Sequence, residues 1–211
     1  MEPNSQTQVT IKDTSEKPAQ PQWDPKNQLV KAYPVFALQL TQWLDACWAD
    51  KELADKPYVF EIYRSPERQN ELYSIGRRGI EGEKIRTKSK ALFSIHQFGC
   101  AVDIVKDGVK EKPGLQALWA ERAWYKRLDD IACEVCPMID WSGRWQTFRE
   151  ECHFENRFGL TVTNFQEVWQ RVQPANTGSP VPAGSVGPAA EQRLRAFYDM
   201  LDDRIALVEF P

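Results

Sequence analysis

The chain has 211 residues, 42% of them hydrophobic and eight of them tryptophan, enough for one cored domain with tails. A net charge of −3 and a pI near 5.6 argue against a general nucleic-acid binder, which carries a basic excess. No apolar run reaches the roughly 18 residues of a membrane span, so none is expected.

Residues 1–28 are polar, hold four prolines and show no helical or strand period, which reads as a disordered or extended arm with Trp23 suited to anchor its end. The first residues lack a basic stretch followed by an apolar one, so no secretory signal peptide is expected. Without one, the five cysteines read as free buried thiols rather than a disulfide framework.

From Leu29 to Trp48 the residues Val35, Phe36, Leu38, Leu40, Trp43, Leu44 and Trp48 fall at helical spacing, with Pro34 suited to the start and Cys47 on the buried side. Pro57 to Tyr63 alternates and reads as a strand. Ser65 can then cap a helix that has Pro66 at its first position and Glu67 in its first turn. Arg64 therefore stands between strand and helix, where a guanidinium can hold a carboxylate or a polarised carbonyl. Taken singly, such an arginine is more often a surface charge.

Gly76 to Ala91 reads as a loop rich in Lys and Arg. That is either a solvated face or, bordering the presumed site, a receiver for an acidic substrate. Ala101 to Val105 reads as a strand with Ala101, Asp103 and Val105 on one face, followed by an Asp107-Gly108 turn. His96 lies in the loop leading in, where Gly99 permits a close backbone approach.

Leu115 to Cys136 reads as one or two helices covering a sheet face. Cys133-x-x-Cys136 ends this stretch, which favours buried structural cysteines over a redox or metal motif. Trp141 to Phe148 is an aromatic turn containing Gly143. His153-Phe-Glu155 is a short strand, and 162–172 is a short amphipathic segment. Residues 173–190, rich in Pro, Gly, Ser and Ala, read as a linker. Residues 191–208 are helical in pattern, too short for a domain, and must dock on the body, self-associate or bind a partner.

His96 and His153 are the only histidines. Each lies near carboxylates, in Ser94-x-His96-x-x-Gly99-x-Ala101-x-Asp103 and in Glu150-Glu-Cys-His153-Phe-Glu155. Two neutral imidazoles and one carboxylate suit a catalytic Zn²⁺ with an open position for water. Glu150, Glu151 and Glu155 each offer a carboxylate to serve as base, and chemistry alone does not choose among them.

These motifs resemble the zinc site of the D-Ala-D-Ala carboxypeptidase and L-alanyl-D-glutamate endopeptidase family (peptidase family M15), and within it the bacteriophage endolysin branch. Arg64-Ser-x-x-x-Gln69-x-x-Leu72-Tyr73 and Trp141-x-Gly143-x-Trp145-x-x-Phe148 are similar to further motifs of that branch. The likeness runs from about Tyr58 to Phe158. It implies His96, Asp103 and His153 as zinc ligands, Glu150 as general base, Arg64 as substrate-binding or polarising residue, and Ser94 and Gln69 lining the site. The branch often has Asp-x-Pro-His where this chain has Glu150-Glu-Cys-His153, which bears on the bond cleaved.

The resemblance implies an α+β fold, a small antiparallel sheet with packed helices and the zinc site at the sheet edge. The expected organisation is an arm (1–28), a zinc peptidase domain (29–172), a linker (173–190) and a C-terminal helix (191–211). The expected activity is hydrolysis of the peptidoglycan stem peptide at the L-Ala–D-Glu bond. A D,D-carboxypeptidase, or a virion-associated structural or binding protein retaining the fold, is the alternative. The expected setting is host cytoplasm before release to the wall, or the virion tail, with virion or self-association through the C-terminal helix.

Overall fold

The computed structural model describes residues 21–106, 120–172 and 188–208. Among these, four short strands form one open antiparallel sheet, with β1 (Pro57–Glu61), β2 (Ala101–Lys106), β3 (Asp140–Trp141) and β4 (His153–Glu155) in the order β1-β2-β4-β3. Five α-helices accompany it: α1 (Pro34–Ala49), α2 (Pro66–Ser74), α3 (Arg122–Val135), α4 (Val162–Arg171) and α5 (Pro188–Ile205). The expected α+β class is the observed one.

The sheet is two-faced, and that positions the site. Phe154 of β4 packs on Trp43 of α1, ring centroids 4.6 Å apart. Tyr125 of α3 donates its hydroxyl to the Ile104 carbonyl of β2 at 3.0 Å. With one face of the two inner strands against these helices, alternation turns Asp103, His153 and Glu155 to the other. The pairing register puts Asp103 directly opposite His153. The site thus lies where β4 begins, on the two inner strands rather than on a flanking one.

α1 starts at Pro34, and Cys47 is buried as expected, with Phe36, Leu40, Trp43 and Leu44. Val35 and Leu38 are exposed, against expectation. This helix is apolar on more than one side, so spacing alone does not identify the buried face. Residues 21–28 belong to the body rather than to an arm. Trp23 is buried, donates to Asp45 at 2.8 Å and accepts from the Val59 amide at 2.8 Å. The Gln28 amide bridges Phe60 O and Ile62 N. The rest of the expected arm, the Asp107-Gly108 turn, the start of the 115–136 stretch and residues 173–187 of the expected linker lie outside the described residues.

Of the cysteine pair, Cys136 is buried beyond the end of α3, but Cys133 is exposed, because the amphipathic α3 turns that position outward. All five cysteines are free thiols. The C-terminal helix begins at Pro188, three residues inside the stretch read as linker, since Pro suits a first helical position and Ala the next ones. Phe197 and Leu201 are fully buried, and Tyr198 donates to Lys31 O at 2.8 Å. Of the three fates expected for this helix, docking on the body is the one seen. Phe197, Tyr198 and Leu201 of its apolar face are buried within the chain.

Candidate metal centre

Three elements bring the donors together. His96 sits in a 3-10 turn, Ile95–Phe98, closed by Gly99 in the left-handed region at φ 68°. Asp103 is in β2 and His153 opens β4. All three side chains are buried. His96 Nε2 lies 3.2 Å from Asp103 Oδ1 and 3.1 Å from His153 Nδ1, and His153 Nδ1 lies 3.3 Å from the same Asp103 oxygen.

The far nitrogen of each ring is also engaged. His96 Nδ1 meets Ile62 O at 2.8 Å, and His153 Nε2 meets Glu155 Oε2 at 2.9 Å. A carbonyl and a carboxylate only accept, so those nitrogens carry the protons. His96 Nε2, His153 Nδ1 and Asp103 Oδ1 therefore aim lone pairs at one another, an arrangement stable only around a positive charge. Burial alone would lower the His153 pKa, but its bonds to Asp103 and Glu155 outweigh that and push it up to about 10. Burial would raise the Asp103 carboxyl, yet the two rings hold it well below the usual carboxylate range.

A metal ion suits the same demand. Bonds of about 2.0 Å in tetrahedral geometry put neighbouring ligand atoms about 3.3 Å apart, close to the three separations here. The group His96, Asp103, His153 can hold a metal ion, and partners on the far side of each imidazole are what metal-ligating histidines ordinarily have.

Around this triad lies an open cleft of about 780 Å³. Arg64, Ser94 and Glu150 line it. Gln69 is not in its wall. It is fully buried behind Arg64, accepting from Arg64 Nη1 at 3.0 Å. Arg64 also donates to Glu61 at 2.6 Å and to Asp103 Oδ2 at 3.0 Å. Burial would lower the Arg64 pKa, but the Asp103 and Glu61 carboxylates raise it, so the guanidinium stays charged.

The three candidate bases separate by environment. Glu151 is tied to Arg122 at 2.6 and 2.9 Å. Glu155 is buried between His153 and Arg157. Glu150 lines the cleft, and its carboxylate has no ion pair among the described residues. Its backbone is held by the buried Ser142 hydroxyl, which receives Glu150 N–H at 3.2 Å and donates to Glu150 O, while the His153 amide donates to that same carbonyl at 3.1 Å. Two supporting roles are not assigned from sequence, that of Glu155, named there only as a candidate base, and that of Ser142. Glu155 shares a strand face with His153, a signal that His-x-Glu on a strand carries. Ser142 lies in the aromatic turn, and no local pattern marks its bond to Glu150.

Residues 87–156 match a family model described as D-alanyl-D-alanine carboxypeptidase, of the M15 peptidases. This segment, about a third of the chain, is similar to the M15 peptidases. It contains all three metal-competent residues and Glu150, while Arg64 and Gln69 precede it. The L-Ala D-Glu endopeptidase ChiX of Serratia marcescens is a structural neighbour at 22% identity and a TM-score of 0.45, covering 62% of this chain and 84% of its own. No curated protein matches the chain. Among the described residues, no helix is long and apolar enough to cross a membrane.

Proposed function

We propose that the chain is a zinc-dependent peptidoglycan peptidase that hydrolyses the stem peptide at the L-Ala–D-Glu bond. The observation that carries this reading is the convergence of His96 Nε2, Asp103 Oδ1 and His153 Nδ1 at 3.1 to 3.3 Å beside an open cleft. When bound by these residues, zinc supplies Lewis acidity toward water and the scissile carbonyl.

The chain's own groups do the rest. Glu150, unpaired among the described residues, takes the proton of the attacking water and passes it to the departing amine. Ser142 fixes the backbone from which Glu150 projects. Arg64 holds Asp103 Oδ2, which leaves Oδ1 for the metal. Its N–H groups not engaged internally can meet a substrate carbonyl where Arg64 lines the cleft. Ser94 contributes to the wall beside His96. The four motifs favour the endolysin-like branch, whose enzymes reach the wall from host cytoplasm or ride in the virion.

A D,D-carboxypeptidase is the second reading, favoured by the description of the matching family model. The deciding experiment is a mass-spectrometric digest of purified peptidoglycan, with and without a chelator. New N-terminal D-Glu appearing only with metal supports the endopeptidase. Free D-Ala would move the assignment to the carboxypeptidase. No release by the zinc-loaded protein would favour a binding or structural role for the same fold. Glu150→Ala should retain zinc and lose cleavage; full activity would place the base elsewhere.

A further inference from the structure

Four cationic side chains line the cleft: Arg64, Lys88, Lys90 and Arg157. Two are neutralised within the protein. Arg64 is held by Glu61 and Asp103, and Arg157 by Glu155. Lys88 and Lys90 have no carboxylate partner among the described residues. Other cations of the same loop are used internally: Arg78 pairs with Glu83, and Arg77 lies over the Tyr73 ring at 3.8 Å while donating to Thr87 O at 3.1 Å. Lys84 and Arg86 of this loop also show no carboxylate partner among the described residues but lie outside the cleft lining, so Lys88 and Lys90 are the cations that bring unpaired positive charge into the cleft.

These lysines are also placed. Lys88 Nζ lies 4.6 Å from the centre of the Phe148 ring, which also lines the cleft, and Lys90 Nζ lies 5.6 Å from that of Tyr73. Phe148 is 62% exposed and has φ 55°, a left-handed backbone that a bulky residue rarely adopts. The ring is held out at the rim, where it receives the ammonium. Between the lysines, Ser89 O accepts from Gln69 Nε2 at 2.6 Å, and Gln69 Nε2 also meets Thr87 Oγ1 at 3.3 Å. Gln69 in turn accepts from Arg64, which donates to Asp103. One buried amide therefore ties the lysine-bearing segment to the arginine that holds a metal-competent carboxylate.

We propose that Lys88 and Lys90 form an anion subsite that selects a peptide with a free carboxylate beside the scissile bond over the same peptide carrying a carboxamide there. This rests on the peptidase reading above. An exposed ammonium over an aromatic face keeps most of its hydrogen-bonding capacity, so a carboxylate can join it without displacing a protein anion.

The test measures equilibrium binding of two synthetic stem peptides, identical except for free D-Glu or its α-carboxamide, to the full chain, with cleavage followed separately. The wild type should bind the carboxylate peptide roughly tenfold more tightly, the size of one charge-assisted bond, and the preference should shrink with added salt. The double variant K88Q/K90Q should bind both peptides alike, with unchanged zinc content and melting temperature, since both side chains are exposed. Equal binding by the wild type, a preference that survives in the double variant, or binding of neither peptide would each overturn the subsite. Preserved discrimination with no cleavage of either peptide would sink only the peptidase reading.

Discussion

Phe98, two residues beyond His96, is stacked between Phe165 of α4 and Phe197 of α5, with ring centroids 5.1 and 5.6 Å away. The C-terminal helix, outside the segment that matches the peptidase model, thus forms part of the wall behind a metal-competent histidine. Truncating a fully buried phenylalanine removes its apolar area and leaves a cavity. Phe197→Ala should therefore cost about 3–5 kcal/mol, read as a lower urea midpoint at unchanged slope. A loss below about 1 kcal/mol would mean that the helix contributes little to the body, contrary to its burial.

Glu155 fixes the His153 ring through Nε2, so its effect should appear in metal affinity rather than in the fold. Glu155→Gln can bond in either amide orientation and ceases to favour the tautomer with Nδ1 free. A fall in zinc affinity of about 10- to 100-fold is expected, measured by competition with a chromophoric chelator. An unchanged affinity would remove Glu155 from the support of this site.

What the sequence reveals follows how locally each relationship is encoded. His96, Asp103 and His153 are legible because the chain has no other histidine and each motif carries its own carboxylate. Glu150, Glu151 and Glu155 are not separable from spacing, because their difference lies in Arg122, Arg157 and the cleft, which come from elsewhere in the chain. Docking of α5 depends on Phe98 meeting Phe197 across most of the domain, and no periodicity encodes that. Val35 and Leu38 fit the helical period and still face solvent, since α1 is apolar on more than its core side. Gln69 is visible as a motif residue, but its place behind Arg64 requires the fold of the 87–90 segment.

Asp129 of α3 offers one pH dependence that a single substitution can isolate. It is buried, with Arg144 at 3.3 Å, and its Oδ1 has no hydrogen-bond partner. Burial raises its pKa; Arg144 and Lys126 pull it down, while Asp130 and Asp140 add to the rise. A carboxyl whose folded pKa lies above its unfolded value costs stability at high pH. That cost sets in as pH rises through the unfolded value near 3.9 and is complete above the folded one. Asp129→Asn should thus raise the melting temperature at pH 7 by a few degrees, corresponding to about 1 kcal/mol, and the gain should vanish toward pH 4. A gain independent of pH, or a loss at pH 7, would show that the Arg144 pair outweighs the burial.

Gly99 closes the turn that carries His96, and two separate demands fall on it. Its φ of 68° is disfavoured for a residue with a Cβ, by roughly 1–2 kcal/mol. A Cβ there would also collide with the Tyr198 hydroxyl and come within 2.9 Å of Lys31 O, the two groups that hydrogen-bond to each other across the turn. Gly99→Ala should therefore destabilise by more than the conformational term alone, about 2–4 kcal/mol in all. Tyr198→Phe in the same background separates the two demands. It removes the hydroxyl collision but leaves the backbone strain and the approach to Lys31 O. Partial recovery in the double variant, measured as a coupling energy against the single variants, is the expected outcome. Full additivity would mean that Tyr198 moves aside freely and that α5 does not constrain the turn behind His96.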